Sequence, residues 1–173
     1  MKTITILIIS FLIFSLPAFG QTMPVKIYLG NEKWNPNMDD CGKVYPVTRT
    51  ISKTKAVATA ALEELFKGVK PEEEAKGYTS FPTAESSGIL KSVKIKNNAA
   101  YFNFKSIIKE QFSRASTACG NQFVTSQIEM TLKQFPGVKK VFYAIEGRPC
   151  DYFEWLEFSE CPLAPKDRSG KNF

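Results

Sequence analysis

Alternating apolar and polar side chains predict the first two strands of the chain. Three aliphatic residues alternate with polar ones over residues 24–30, which indicates a strand with one buried face. The following residues, 31–42, are rich in Asn, Asp, Gly and Pro and therefore predict a loop. Residues 43–51 form a second extended stretch. Pro46 places this stretch at a sheet edge, because proline cannot donate a ladder hydrogen bond.

The same period of two predicts a hairpin and a last strand farther along the chain. Val93 and Ile95 alternate with lysines, and the return strand alternates in the same way. Asn97-Asn98 makes the turn between them, because asparagine tolerates a positive φ. Residues 138–146 also alternate but carry apolar residues on both faces, so we predict a central strand there.

A period of 3.6 in the apolar residues predicts two long helices. The first begins after a cap at Ser52 or Thr54 and ends before Gly68, which lies where a left-handed terminator belongs. The second covers residues 121–135 and ends at the following Pro-Gly pair. Helices with one apolar stripe need a sheet to cover. The order of elements therefore predicts an α+β fold, a two-layer sandwich with two main helices on one face of a mixed sheet.

Residues 1–20 predict a cleavable secretory signal. A single charge, Lys2, precedes an apolar run of about 13 residues, which fits a signal-peptide core and is too short for a spanning helix. The alternative, an uncleaved membrane anchor, lacks a following cluster of charges. We therefore predict an exported chain, periplasmic or extracellular, with no membrane span after cleavage. The leader is followed by a domain over residues 21–149 and a tail over residues 150–173.

Four cysteines remain after cleavage, and an even number in an exported chain indicates disulfides. Of the three possible connectivities we favour Cys41–Cys119 and Cys150–Cys161, the second of which closes a short loop in the tail. A zinc site is the rival interpretation, but no Cys-x-x-Cys pair and no histidine accompany the cysteines. We predict neither a metal nor a cofactor.

Four segments carry a resemblance to a known family. They are VKIYLGNEKWNPNMDDCGKVYPVTRTI, TKAVATAALEELFKGVKPEEEAKGY, LKSVKIKNNAAYFNF and QIEMTLKQFPGVKKVFYAIEGRP, which together run from Val25 to Pro149. In the order of these pieces the chain resembles the GerMN family of sporulation and germination proteins. The resemblance implies a compact α+β domain of the bacterial cell envelope that binds or assembles and has no established catalytic residues. The tail departs from the family, which weakens the transfer of a sporulation role.

Catalytic chemistry finds little support in the composition. The chain has no histidine, which removes the commonest general base and any Ser-His-Asp triad. Asp39-Asp40 could contribute to a calcium site, yet no spaced series of oxygen ligands accompanies it. An enzyme acting on wall sugars needs two carboxylates across a cleft, and the sequence singles out no such pair. We therefore predict no enzyme. The mild net charge of +6, without a recognition motif, predicts no nucleic-acid partner.

Aromatic side chains outside the predicted core are the candidate contacts. Trp34 lies in the first loop, and Tyr152, Trp155 and Phe158 crowd the tail. Such rings stack on sugars or anchor protein partners, unless the tail folds back and covers the domain. We predict an exported, non-catalytic binding or scaffolding domain of the bacterial cell envelope, whose partner is an envelope protein or a wall polymer. The alternative function is inhibition of a protease or wall hydrolase through a disulfide-rigidified loop at residues 150–161.

Overall fold

Strands and helices alternate along residues 21–161, the part of the chain that the computed structural model describes. The signal-peptide prediction for residues 1–20 and the end of the predicted tail, residues 162–173, lie outside the described residues. The elements are β1 (Thr22–Asn31), a 3-10 turn (Pro36–Met38), β2 (Tyr45–Ser52), α1 (Val57–Leu65), α2 (Pro71–Glu74), β3 (Tyr78–Thr79), a 3-10 turn (Ala84–Ser86), β4 (Leu90–Lys96), β5 (Ala99–Phe104), α3 (Ile108–Gln111), a 3-10 turn (Ser113–Ser116), α4 (Ala118–Lys133), β6 (Lys140–Ile145) and α5 (Pro149–Trp155).

The described strands form two three-stranded sheets, in the orders β2-β1-β3 and β4-β5-β6. β2 is antiparallel to β1 and lies at a sheet edge, the place predicted from Pro46. β4 and β5 form the predicted hairpin, in which Asn97 and Asn98 have φ of 52° and 58°. β5 and β6 are parallel. The α+β class is confirmed, but the strands form two sheets where the sequence predicted one mixed sheet.

β6 lies at the edge of the second sheet, which corrects the prediction that this strand is central. The central strand is β5, whose residues are all buried. The apolar residues on the two faces of β6 have separate partners. Tyr143 and Ile145 face the main core, whereas Phe142 on the other face stacks on Tyr101 with 5.3 Å between ring centroids. An edge strand therefore carries apolar residues on both faces when a neighbouring strand supplies an aromatic partner.

Polar side chains of α4 cover the free edge of β1. Lys26 N donates to Gln134 Oε1 at 3.0 Å, and Gln134 Nε2 donates to Lys26 O at 2.6 Å. Tyr28 N donates to Thr131 Oγ1 at 3.1 Å, and Gln127 Nε2 donates to Tyr28 O at 3.3 Å. The three α4 residues recur at helical spacing, so one helix face satisfies backbone groups that a further strand would otherwise pair. β3 pairs with β1 only at Gly30 and Asn31, so α4 takes the place of a neighbouring strand along the earlier part of the same edge.

Replacing Gln134 by alanine should loosen the contact between β1 and α4. Two hydrogen bonds to Lys26 are lost where water partly replaces them, so we expect the free energy of unfolding to fall by about 1 to 2 kcal/mol. Chemical denaturation measures that loss, with the exposed Gln122→Ala on the same helix as control. Hydrogen exchange should speed up at the Lys26 amide, and an unchanged rate there contradicts the edge contact.

Arg49 is a charged side chain in the interior of the domain, where it is 3% exposed. Its guanidinium donates to both carboxylate oxygens of Glu73, at 2.9 and 2.6 Å. It also donates to the backbone oxygens of Glu64 at 2.5 Å and Gly68 at 2.6 Å. Arg49 therefore ties the edge strand β2 to the end of α1 and the start of α2, and it does so with hydrogen bonds that the apolar surroundings shield from water.

Candidate binding surface

The loop between β1 and β2, residues 32–44, is the Trp34 loop, and a buried asparagine fixes its first turn. Asn31 is 2% exposed, and its side-chain oxygen accepts hydrogen bonds from the backbone N–H groups of Lys33 at 3.0 Å and Trp34 at 3.3 Å. Its side-chain nitrogen donates to Lys76 O at 3.4 Å. Asparagine favours such turns because its short amide bonds the backbone two residues on. The start of the loop, and Trp34 with it, is thereby held in place.

A second asparagine and a disulfide hold the far part of the Trp34 loop. Asn35 Nδ2 donates to Asp40 O at 2.8 Å, and Asp40 N donates to Asn35 Oδ1 at 3.2 Å. The next residue, Cys41, forms a disulfide with Cys119 in the first turn of α4. This is the predicted pairing. The loop is therefore bridged internally between Asn35 and Asp40, and it is tied to the domain at its start by Asn31 and near its far end by the Cys41–Cys119 disulfide.

Trp34 projects from this braced loop with 56% of its surface exposed. Its ring meets Tyr45 and Tyr78 edge to face, with centroid distances of 5.0 and 5.7 Å. Tyr45 Oη donates a hydrogen bond to Trp34 O at 3.1 Å. The side chain is positioned by its neighbours yet open to solvent. Such preorganisation suits a contact surface, because little ordering is left to occur on binding.

Tyr45 and Tyr78 are contact residues that the sequence analysis did not single out. Each begins a strand, β2 or β3, and each reaches the Trp34 ring. Tyr78 comes beside the loop because β3 pairs with the end of β1, where Asn31 lies opposite Tyr78. This contact joins residues far apart in the sequence. A local pattern gives no signal for it beyond an aromatic residue at the start of an extended stretch.

The described part of the tail, residues 150–161, folds back onto the domain. It begins with α5, which packs against β6 and places Tyr152 in the core, 1% exposed. The Tyr152 ring stacks on Phe104 and Tyr143, with centroid distances of 5.8 and 4.4 Å. The predicted disulfide Cys150–Cys161 joins α5 to the last described residue. The tail is therefore part of the domain's packing, which is the alternative that the sequence left open.

The other two tail candidates differ in exposure. Trp155 is partly buried and meets Phe104 at 6.4 Å, whereas Phe158 is 44% exposed. Leu156, between them, is fully buried. Among the four aromatic candidates, Trp34 and Phe158 are thus the two that present a large open surface. The inhibitor hypothesis requires a loop that projects from the domain. Because Tyr152 and Leu156 are buried, the chain does not project at these two positions.

Two buried tyrosines have shifted pKa values in the part of the chain that the structure describes. Burial raises the pKa of Tyr143 well above its usual range and raises the pKa of Tyr152 as well, so both hydroxyls stay protonated at neutral pH. All four cysteines are in disulfides. Over residues 21–161 no three Cys, Asp or Glu side chains lie together in a way that could hold a metal ion. Within the same span no helix has the length and apolar character to cross a membrane.

The described fold is that of a disulfide-bonded α+β domain that presents a fixed aromatic side chain at its surface. A family model described as Germane, sporulation and spore germination, matches residues 26–151. The chain belongs to this family, and the resemblance seen in the sequence is confirmed. None of the curated proteins compared with the chain matches it.

Two solved structures share the fold. The tandem GerMN domains of the sporulation protein GerM from Bacillus subtilis align with a TM-score of 0.54 and 22% identity, over 83% of this chain and 43% of that chain. The first GerMN domain of the same protein aligns with a TM-score of 0.53 and 21% identity, over 82% of this chain and 90% of that chain. The chain thus spans less than half of the tandem protein. At these identities the likeness concerns the fold alone.

Proposed function

We propose that the chain is an exported, non-catalytic binding domain whose contact surface is the Trp34 loop. The observation that carries the proposal is a tryptophan that is 56% exposed on a loop fixed by Asn31 and the Cys41–Cys119 disulfide. Tryptophan is the side chain most enriched among residues that dominate binding energy, and a fixed ring loses little entropy on contact. The partner is a protein or a wall polymer of the bacterial cell envelope.

Export is supported by the leader pattern of residues 1–20 together with the two disulfides, because disulfides persist in oxidising compartments. A role without bond chemistry is supported by the lack of histidine in the chain, because histidine is the commonest general acid and base. Membership of the Germane family agrees with a binding or assembly role, since the resemblance brings no catalytic residues with it.

Capture from an envelope extract of the source cells should test the proposal. The bait is the mature chain, residues 21–173, as wild type, Trp34→Ala or Phe158→Ala. We expect Trp34→Ala to lower recovery of the bound partners by about tenfold, as removal of a central aromatic contact does. Phe158→Ala is the matched control, because it removes a second exposed ring on another part of the domain. Circular dichroism establishes that each bait is folded. Equal recovery with Trp34→Ala overturns the assignment of the surface.

A further inference from the structure

A cleft of about 400 Å³ opens beside Tyr78, whose ring forms part of its wall. The same ring meets Trp34 at 5.7 Å between centroids, so the cleft lies next to the exposed tryptophan. β3 forms one side of the cleft and pairs with the end of β1, and Glu32 N donates to Gly77 O at 2.9 Å across this junction. The cleft is therefore built on paired strands and is already formed without a ligand.

Polar groups of both hydrogen-bonding kinds line the cleft. Among the residues that line the cleft, Glu32 and Glu74 carry carboxylates that accept hydrogen bonds, Lys67 carries an ammonium group that donates, and Thr83 carries a hydroxyl group that does both. Across the part of the chain that the structure describes, the carboxylates of Glu32 and Glu74 form no hydrogen bond or ion pair with other residues. Their oxygens thus remain available to a ligand, beside the aromatic wall that Tyr78 provides.

This combination selects among ligand classes. An apolar anchor from a protein partner needs an apolar pocket that sheds water, and here charged and hydroxyl groups interrupt the apolar wall. An anionic polymer meets two carboxylates against one ammonium group, and that ammonium group already pairs with Glu64. A neutral sugar suits the cleft better, because its hydroxyl groups both donate and accept while its C–H face packs on an aromatic ring.

We propose that the cleft beside Tyr78 binds a neutral segment of a carbohydrate chain, with Trp34 extending the aromatic wall to a neighbouring sugar. The proposal rests on the function proposed above and names the ligand class of the same surface. Tyr78 packs on one sugar face, and Glu32 and Glu74 accept hydrogen bonds from ring hydroxyls. The Trp34 loop then contributes a second stacking position outside the cleft. Exported proteins meet such chains in the glycan strands of the cell wall.

Isothermal titration of the mature chain with soluble N-acetylglucosamine tetramer, and separately with a neutral glucose tetramer, tests the proposal. We expect saturable binding of at least one tetramer and a loss of about tenfold in affinity for Trp34→Ala and for Glu74→Gln. Glu74 is exposed at the end of α2, so its substitution leaves the fold intact. Phe158→Ala should bind as the wild type does.

Three outcomes overturn the glycan proposal. They are the lack of heat with either tetramer, equal affinity in Trp34→Ala and wild type, and equal affinity in Glu74→Gln and wild type. The first result leaves the proposed function standing if Trp34→Ala still loses its partners in the capture experiment, because the surface then recognises a protein. If capture is also insensitive to Trp34→Ala, both proposals fall together. The two assays therefore separate a wrong ligand class from a wrong surface.

Discussion

Replacing Arg49 by methionine should lower the free energy of unfolding by about 3 to 5 kcal/mol, the range expected when one partner of a buried ion pair is removed. The methionine fills most of the space of the arginine stem but donates no hydrogen bond. Glu73 then keeps a buried charge without its partner, and the backbone oxygens of Glu64 and Gly68 lose their donors. Urea denaturation of the oxidised mature chain measures the loss.

The pH dependence of the same variant gives a second readout. In the wild type, burial raises the pKa of Glu73, but the hydrogen bonds and charges of Arg49 and Lys70 together outweigh burial and leave that pKa below its ordinary value of 4.5. This stabilisation is complete above pH 4.5 and is lost as the pH falls through the lower pKa of the folded state. Without Arg49, burial is opposed only by the backbone N–H and the charge of Lys70, so the pKa of Glu73 is higher than in the wild type and protonation of Glu73 relieves the variant. The stability gap between the two proteins should therefore narrow below pH 4.5.

Two further variants control this result. Arg148→Met removes an exposed pair with Asp151, in which the arginine side chain is 70% exposed, and should change stability by less than about 1 kcal/mol. Adding Glu73→Leu to Arg49→Met removes the stranded charge and should restore part of the lost stability. A loss of similar size for Arg49→Met and Arg148→Met would falsify the view that Arg49 joins the three elements.

Tyr152→Ala should destabilise the protein by about 3 to 5 kcal/mol, as large-to-small substitutions of buried aromatic residues do. The ring is 1% exposed and stacks on Tyr143 and Phe104, so its removal leaves a cavity beneath α5. Tyr152→Phe keeps the ring and removes only the hydroxyl contact with Thr125 at 3.2 Å, which should cost about 1 kcal/mol. Thermal unfolding followed by circular dichroism distinguishes the two variants.

This comparison also decides the role of the tail. Phe158→Ala in the same tail removes a ring that is 44% exposed and should leave stability nearly unchanged. If Tyr152→Ala were as stable as Phe158→Ala, α5 would be an appendage and its aromatic residues would again be candidate contacts. If the expected difference is found, a partner contact in the described part of the tail is confined to the side chains that α5 and the residues after it leave exposed.

Local periodicity was sufficient to predict the two long helices, most strands and the Asn97-Asn98 turn, because each of these depends on neighbours within a few residues. The helix α5 in the tail was not predicted. Whether β6 is a central or an edge strand depends on which strands lie beside it. Apolar residues on both of its faces did not distinguish these two positions. Arg49 did leave a signal in the sequence. Arg49 lies on the same face of β2 as Val47 and Ile51, the face that points to the interior, and a charge there needs a partner. That partner is 24 residues away and belongs to another element, so alternation alone could not identify it.

The candidate surface was predictable in part. Trp34 was singled out because a large aromatic residue in a polar loop has no local core to join, and it is exposed. The same reasoning grouped Tyr152 with it, yet Tyr152 is buried because α5 packs on β6. The exposure of a side chain depends on tertiary packing. The sequence of the tail could not distinguish a ring that packs on the domain from one that is exposed to solvent. The cleft beside Tyr78 has the same origin, since β1, β3 and the following turn meet only in the folded chain.

The covalent link from Cys41 to Cys119 makes the shape of the Trp34 loop depend on the redox state of its surroundings. A newly made chain in a reducing cytosol lacks this tether, and its loop then samples many conformations around the first turn that Asn31 defines. Oxidation removes that freedom, so, under the export and binding proposed above, the affinity of the surface should rise when the chain reaches an oxidising space. Engagement before that point would then be disfavoured without any change in the residues that make the contact.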